Sequence, residues 1–429
     1  MNTVPPVNNE FQFHGLNIAP KLLEILKSRG FCVPTPIQKQ SIPPAIEGKD
    51  VMGIAQTGTG KTLAFGIPLL QRLASAGGMG LIILPTRELA LQVNGAIQDI
   101  GGSLGLRTSV LIGGDSMERQ IRALSQKPHI IIGTPGRLID HLLRKTLHLD
   151  AVKILVLDEA DRMLDMGFLP QIRRIMEHVP QERQTMCFSA TMPTDIVKLV
   201  QQYMRLPVRV EVARAGTAAK EVSQEIFFVS KEGKKDLLEN LLQEYSGSIL
   251  IFSRTKFGTK KISQMIRRNN HTTNELHSNR TLAQRREALE GFKRGKYRVL
   301  VATDIAARGI DVSGIELVIN YDLPDQPEDY VHRIGRTGRA GNLGHAISFA
   351  TPDQRRDVRD IERLIRATIP VRALPAGLPP TPSIAPDTTQ YAAPKRLQTQ
   401  KPQHFFSRPS SRDQHWHGRK KFPPRSTLL

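Results

Sequence analysis

Short apolar runs alternate with amphipathic stretches along most of this chain. The runs from Val51 to Val210 are, in order, DVMGIA, GLIILPT, HIIIGTP, KILVLDE and TMCFSAT. A second series covers roughly residues 223–350 with EIFFVS, SILIFSRT, YRVLVATD, ELVINYD and GHAISFAT. Each run ends in small or polar residues before a helical period resumes, and RRDVRDIERLIR closes the second series as an amphipathic helix. This alternation predicts βαβ units and an α/β fold with two parallel sheets.

The same pattern divides the chain into four parts. We predict a first domain over residues 1–210, a linker over 211–222, a second domain over 223–370 and a tail over 371–429. The segment ARAGTAAKEV at the joint holds small and polar residues without apolar periodicity, which is typical of a mobile linker.

The tail differs in composition from the rest of the chain. It holds ten prolines and ten Lys or Arg residues against only Asp387 and Asp413, so we predict a disordered basic extension. The aromatic residues interleaved with these charges are Phe405, Phe406, Trp416 and Phe422. They offer stacking surfaces beside phosphate-binding groups, which favours a nucleic-acid-binding tail. A solubilising extension is the alternative.

The whole chain is strongly basic. Its 60 Lys and Arg residues exceed its 40 Asp and Glu residues, for a formal charge of +20, which favours nucleic acid or an acidic membrane surface as a partner. Cys32 and Cys187 show no pairing pattern, so neither a disulfide framework nor a zinc site is indicated. The start MNTVPPVNNE lacks the features of a signal peptide, and no run of 18 apolar residues occurs. We expect a soluble cytoplasmic protein without a membrane partner.

A glycine-rich segment, AQTGTGKT, follows the first apolar run and precedes a helical pattern. Glycines there free the backbone amides to converge on phosphate oxygens, while Lys61 can reach the β- and γ-phosphates and Thr62 can bind Mg²⁺. The alternative is a glycine-rich turn that binds nothing. The candidate nucleotide-binding residues are Ala55, Gln56, Thr57, Gly58, Thr59, Gly60, Lys61 and Thr62.

Acidic residues end another apolar run, in KILVLDEADRML. A carboxylate at a strand end beside a phosphate-binding loop commonly holds Mg²⁺, which assigns that role to Asp158. Glu159 can act as the general base for a water that attacks the γ-phosphate. Helix capping, which contributes roughly 0.3–2 kcal/mol, is the alternative, but it does not explain two adjacent acids at a strand end.

Asp158 to Asp161 read D-E-A-D, and here the chain resembles the DEAD-box RNA helicase family. The resemblance covers roughly residues 11–350 and rests on several further motifs in order. These motifs are PTPIQ, PTREL, Gly113-Gly114, TPGR, SAT, ATDIAARGID and HRIGRTGR. It implies two tandem RecA-like domains, an ATP-dependent RNA helicase activity, and ATP and Mg²⁺ as ligands. The layout is similar to that of bacterial members, notably the RhlE-like group.

The resemblance also implies roles in the ATP site. Phe13 and Gln38 would recognise adenine, and a Gln amide can match the donor and acceptor on the N6 and N7 edge of that base. Asp311 would contact the ribose. Arg336 and Arg339 would be arginine fingers that meet the γ-phosphate when the domains close. Together with these two arginines, the implied catalytic residues are Lys61, Asp158 and Glu159.

Two further groups of residues follow from the resemblance. The implied RNA-binding residues are Pro85, Thr86, Arg87, Gly114, Thr134, Arg137, Arg285 and Thr303. The residues implied to couple hydrolysis to RNA binding are Asp161, Ser189, Thr191 and His332. The chain departs from the family pattern at Ser278 and Leu282, where Gly and Gln are usual, which puts one RNA contact of the second domain in doubt.

The resemblance implies a cycle in which ATP and RNA draw the two domains together and hydrolysis reopens them. We expect contacts to the RNA backbone with little sequence preference, a monomeric core, and ribosomal or RNA-decay proteins as candidate partners. One alternative is an ATP-dependent RNA clamp or scaffold that holds partners without unwinding. A second alternative is a DNA translocase.

Overall fold

The first half of the chain is built on a seven-stranded sheet. The computed structural model describes residues 11–56, 58–212, 222–307, 315–338 and 344–375. The strand order is β3-β4-β2-β5-β6-β1-β7, and every pairing in this sheet is parallel. The strands are β1 (Val51–Ile54), β2 (Met79–Ile83), β3 (Thr108–Leu111), β4 (Ile130–Gly133), β5 (Val152–Leu157), β6 (Gln184–Ser189) and β7 (Val208–Glu211).

Helices cover both faces of this sheet, and a hydrophobic core lies on each side. Because side chains alternate along a strand, Val156 lies in one core while Leu155 and Leu157 lie in the other. The helices are α1 (Pro20–Ser28), α2 (Pro36–Ile46), α3 (Lys61–Ala76), α4 (Arg87–Gly101), α5 (Met117–Ser125), α6 (Pro135–Leu143), α7 (Ala160–Asp165), α8 (Leu169–Met176) and α9 (Thr194–Tyr203). Burial on both faces explains why the strands read as continuous apolar runs.

The second half contains a six-stranded parallel sheet with the order β10-β11-β9-β12-β13-β8. Its strands are β8 (Val222–Phe228), β9 (Ile249–Phe252), β10 (Thr273–Leu276), β11 (Val299–Ala302), β12 (Leu317–Asn320) and β13 (Gly344–Ala350). Its helices are α10 (Lys234–Glu244), α11 (Lys256–Arg268), α12 (Leu282–Lys293), α13 (Asp304–Ala307), α14 (Pro327–Ile334) and α15 (Arg355–Ile365). The predicted α/β fold with two parallel sheets is confirmed, and both sheets belong to one compact unit, residues 1–382.

The second sheet repeats the strand order of the first. In each half, the helix after the first strand begins with a lysine, Lys61 in α3 and Lys234 in α10. The Nζ of Lys234 donates to the Tyr321 carbonyl (2.7 Å) and to Oδ1 of Asp322 (3.2 Å), just beyond β12. Burial lowers the pKa of Lys234, although the charge of Asp322 opposes this shift.

The start of the predicted tail contacts the second sheet. Val371 forms a parallel bridge with Ile226, and Arg372 forms ion pairs with Glu225 (3.2 Å) and Glu244 (2.8 Å). Leu374 packs against the core beneath β8. Residues 371–375 therefore belong to the edge of the second half, which differs from the predicted boundary. Residues 376–429 and residues 213–221 of the predicted linker lie outside the described ranges.

Within the ranges given above, no helix combines the length and the apolar character that crossing a membrane requires. Cys32 and Cys187 are free thiols. Burial raises the pKa of Cys187 to about 12, which keeps this thiol protonated and unreactive at neutral pH.

Candidate nucleotide and RNA sites

The glycine-rich loop joins β1 to α3 at the carboxyl edge of the first sheet. Gly58 and Gly60 have φ angles of +85° and +90°, a left-handed conformation that favours glycine. A Cβ atom at Gly60 would lie 2.3 Å from Nε2 of Gln38, so a side chain there would displace the Gln38 amide. Lys61 is buried, and its Nζ donates to the Ala55 carbonyl at 3.0 Å. This backbone shape and this lysine fit a phosphate-binding loop.

The remaining loop residues support the same turn. The hydroxyl of Thr59 donates to the Gln56 carbonyl at 2.7 Å, and this bond stabilises the turn of the loop. Thr62 is the second residue of α3 and is half-buried. Thr57 lies outside the described residues.

Gln38 connects the PTPIQ segment to the glycine-rich loop. Its Oε1 accepts from the Thr35 amide (2.9 Å), and its Nε2 donates to the Gly60 carbonyl (3.0 Å). These two bonds fix which end of the amide is donor and which is acceptor, and each end keeps one further bonding position for a base. The ring of Phe13 is only 1% exposed and packs in the first core, so contact with adenine would require this ring to move.

Asp158 lies directly after β5 and is 3% exposed. Burial raises its pKa to about 6, although the charge of Lys61 lowers it. Its Oδ1 accepts from the Glu159 amide at 2.9 Å. Carboxylate and hydroxyl oxygens are the hard ligands that Mg²⁺ prefers, so Asp158 and Thr62 fit this ion by chemistry.

Glu159 has an unusual backbone. Its φ is +53° and its ψ is +50°, a left-handed conformation that costs a residue with a side chain about 1–3 kcal/mol and is concentrated at functional sites. Its side chain does not cap α7, so capping does not account for this acid. Oε2 of Glu159 instead accepts from Nη1 of Arg162 at 3.0 Å.

Asp161 binds the SAT segment at the end of β6. Its Oδ2 accepts from the Ala190 amide (3.0 Å), the Thr191 amide (2.8 Å) and the Thr191 hydroxyl (2.9 Å). Its own amide donates to Oγ of Ser189 at 3.1 Å. The structure thus brings Asp161, Ser189 and Thr191 together at the ends of two neighbouring strands.

The RNA-binding candidates of the first half lie at the ends of β2, β3 and β4, which are neighbours in the sheet. Arg87 lies against two glycines, since a Cβ atom at Gly114 would come within 2.4 Å of its Nη1. Arg137 donates from Nη1 to the Asp115 carbonyl at 3.2 Å.

Three other candidates of this half are buried. The hydroxyl of Thr86 accepts from the Leu89 amide at 3.3 Å, so it caps α4. The other two are Pro85 and Thr134. RNA could therefore contact only the small exposed fraction of each of these three residues.

Arg285, a predicted RNA contact, lies at the contact between the two halves. It is 8% exposed, and its Nη2 lies 2.8 Å from Oε2 of Glu88 in the first half. Leu282, one turn earlier in α12, packs against the first core. Arg285 therefore bridges the two halves of the molecule in this structure. Thr303 is half-buried just before α13, and its amide donates to the Leu276 carbonyl at 3.1 Å.

The arginines of HRIGRTGR have different environments. Arg333 is 2% exposed and donates to both carboxylate oxygens of Asp304 (2.5 and 2.7 Å) and to the Asp322 carbonyl (2.6 Å). It therefore stabilises the fold. Arg336 follows α14, and its Nε donates to the His332 carbonyl at 3.2 Å. Arg339 and Asp311 lie outside the described residues.

Sequence reasoning missed Arg162, Glu88 and Asp304 as participants in this region. The spacing of Arg162 three residues after Glu159 could have suggested an ion pair along a helix. No comparable local signal connects Glu88 to Arg285, because they are far apart in the sequence.

Comparison with known proteins agrees with this geometry. The model of the DEAD/DEAH box helicase family matches residues 35–199, and that of the helicase conserved C-terminal domain matches residues 233–341. The chain is 41% identical over 388 residues to the DEAD-box ATP-dependent RNA helicase CshA of Geobacillus kaustophilus, which covers 90% of this chain and 82% of the relative. It is 45% identical over 356 residues to the ATP-dependent RNA helicase DbpA of Bacillus subtilis, covering 82% and 74% respectively.

Among solved structures, S. cerevisiae Dbp5 bound to RNA and ADP BeF3 superposes with a TM-score of 0.77 at 29% identity. The match covers 84% of this chain and 95% of that one. The chain belongs to the DEAD-box family of ATP-dependent RNA helicases. The narrower RhlE-like grouping stays a prediction.

Proposed function

We propose that this RNA helicase hydrolyses ATP at the carboxyl edge of its first sheet, with the individual roles that follow. One observation carries the proposal: Lys61, Asp158 and Glu159 are all buried at the ends of β1 and β5, and the charge of Lys61 acts on the Asp158 carboxylate. Lys61 would neutralise the β- and γ-phosphates. Asp158 and Thr62 would hold Mg²⁺, which would withdraw charge from the phosphate oxygens.

Glu159 would take the proton of the attacking water. The new bond forms between the water oxygen and the γ-phosphorus, the bond from that phosphorus to the bridging oxygen breaks, and ADP and phosphate leave. A carboxylate fixed by Arg162 and by a left-handed backbone supports this role, because proton transfer requires a base within hydrogen-bonding reach of the water.

The second half would complete the site and clamp the RNA. Arg336 and Arg339 would stabilise the charge that develops on the γ-phosphate. Arg87 and Arg137, at the ends of neighbouring strands, would contact RNA phosphates, so binding should depend on salt more than on sequence. Asp161 and the SAT segment would relay the state of the nucleotide to the RNA face, which their hydrogen bonds support.

The presence of Glu159 favours turnover over a clamp that closes without unwinding. Strand displacement on a short RNA duplex, with and without ATP, distinguishes the two functions. We expect displacement to require ATP. A protein that retains RNA in the presence of ATP but separates no strands would be a clamp.

We further propose that the core acts as a monomer in the cytoplasm. The free thiols Cys32 and Cys187 support a reducing compartment. Ribosomal or RNA-decay proteins are candidate partners, because the helicase and its basic tail are suited to RNA-rich assemblies. Copurification from cells before and after RNase treatment tests this proposal.

Gln38 should make the enzyme prefer ATP to GTP. Its remaining donor and acceptor match adenine, and an edge contact of this kind discriminates by about 1–3 kcal/mol. Turnover of ATP should therefore exceed that of GTP about tenfold or more, and Gln38→Glu should reduce this ratio. Gln40→Glu, an exposed change on the same helix, is the matched control. Equal turnover of both nucleotides by the unmodified protein would contradict the assignment.

Deleting residues 376–429 should weaken RNA binding and flatten its salt dependence while sparing basal ATPase activity. The deletion removes nine Lys or Arg residues but keeps Arg372 and Leu374, which support the second sheet. Each lost phosphate contact lowers the salt slope by about 0.7 for single strands. RNA affinity at several salt concentrations measures this effect.

The control for the tail replaces its aromatic residues Phe405, Phe406, Trp416 and Phe422 with Ser. This variant keeps every charge, so its salt slope should match that of the full chain while its affinity falls. An unchanged slope after the deletion would indicate a solubilising extension.

A further inference from the structure

Arg162 is one of the largest fully buried side chains in the described residues, at 1% exposed. It lies in α7, three residues after Glu159, and its Nη1 donates to Oε2 of that residue at 3.0 Å. Its Nη2 is buried and has no hydrogen-bond partner within the described ranges. The family comparisons and the motifs of the sequence give this arginine no role.

The far side of Arg162 meets the second half of the molecule. A cavity of about 10 Å³ separates its side chain from residues around α13 and α14. These residues include Phe252, Asp304, His332, Arg333 and Arg336. Such a cavity holds at most one water. Arg162 therefore lies between the carboxylate of Glu159 and the segment that carries Arg336.

This position has an energetic consequence. A buried guanidinium with an unmet donor is destabilising, because the N–H group has lost its water without gaining another partner. With the two halves apart, Nη2 would be hydrated. When they meet, the guanidinium is desolvated and its ion pair with Glu159 strengthens in the drier surroundings. When the second half packs against Arg162, the stronger ion pair therefore limits the movement of the Glu159 carboxylate.

We propose that Arg162 is a positioning residue that fixes the Glu159 carboxylate for its water when α14 of the second half packs against it. This inference rests on the proposed role of Glu159 as general base. The ion pair between Arg162 and Glu159 would link domain closure physically to hydrolysis. This link is separate from the hydrogen bonds between Asp161 and the SAT segment.

Replacing Arg162 with Ala should lower the RNA-stimulated kcat about 10–100-fold, since a displacement of about 1 Å at a reacting group can cost about 10²-fold. The KM for ATP should change less than about twofold, because Lys61 and Gln38 keep their contacts with the loop. Arg162→Lys keeps the charge but loses the planar fork, so its kcat should fall between those of Ala and the unmodified protein.

The experiment compares Arg162→Ala, Arg162→Lys and the control Arg174→Ala, an exposed position on α8. Steady-state ATPase with and without single-stranded RNA gives kcat and KM, a fluorescent ATP analogue gives nucleotide affinity, and thermal unfolding gives the folded fraction. If the Ala variant does not fold, the Lys variant carries the test. We expect lower kcat with unchanged nucleotide affinity and folding.

An unchanged kcat in both Arg162 variants, or a kcat loss fully explained by unfolded protein, would overturn the inference. Faster hydrolysis without RNA in the variants would also overturn it, because Arg162 would then inhibit Glu159 rather than position it. Glu159→Gln is measured in parallel. If that variant hydrolyses ATP normally, the general-base assignment fails. If it is inactive while both Arg162 variants are normal, only the role of Arg162 fails.

Discussion

Replacing Glu159 with Gln should leave ATP and RNA bound while lowering RNA-stimulated hydrolysis about 10²–10⁴-fold, the usual contribution of a general base. The amide has the same shape as the carboxylate, and its oxygen can still accept from Nη1 of Arg162. It cannot take a proton from water. Phosphate release under saturating ATP and RNA measures the loss.

The control for this change is Glu177→Gln, an exposed position at the end of α8. It removes the same charge from the same half of the molecule and should leave phosphate release unaltered. Nucleotide and RNA affinities should match in both variants. Normal RNA-stimulated phosphate release by the Glu159 variant would rule out the general-base assignment.

Replacing Arg336 with Ala should reduce turnover about 10³–10⁵-fold, the range observed for arginine fingers. The residue follows α14 of the second half, and Arg333 anchors that helix through Asp304 and the Asp322 carbonyl. The position of the finger is therefore set by a buried network that the substitution leaves intact. Nucleotide affinity should change little, because the proposed nucleotide-binding loop belongs to the first half.

Arg363→Ala is the matched control, since this arginine is 73% exposed on α15 of the same half. Retention of RNA with a non-hydrolysable ATP analogue provides a second measurement. It should be weaker in the Arg336 variant and normal in the control. Turnover of the Arg336 variant within about twofold of the unmodified protein would contradict the finger assignment.

The sequence predicted the fold well because parallel strands buried on both faces produce continuous apolar runs. The glycine-rich loop between β1 and α3 and the acids after β5 lie where the sequence predicts them, since each is a contiguous motif. Their chemical roles stay predictions. The meeting of Asp161 with Ser189 and Thr191 follows from the adjacency of β5 and β6. Asp311 and Arg339 stay predictions.

Other features depended on contacts between distant segments. Arg285 stays a predicted RNA contact, and no local pattern indicates its ion pair with Glu88 of the other half. Arg333 looked equivalent to Arg336 by spacing, and only the fold brings Asp304 to it. The ordered residues 371–375 were missed because one bridge and one ion-paired arginine leave no periodic pattern. Single-sequence reasoning has no means of detecting such pairings.

The lysine at the start of α10 shows how a repeated architecture becomes asymmetric. Lys234 begins α10 as Lys61 begins α3, and Asp322 lies two residues beyond β12 whereas Asp158 directly follows β5. The described loop 229–233, however, has no residue in the left-handed conformation. Its amides therefore do not converge as those of a phosphate cradle do. The Lys234 amine instead donates to the Tyr321 carbonyl just beyond β12, where the chain continues toward α14. We therefore expect nucleotide to bind to the first half alone, with one ATP bound per molecule.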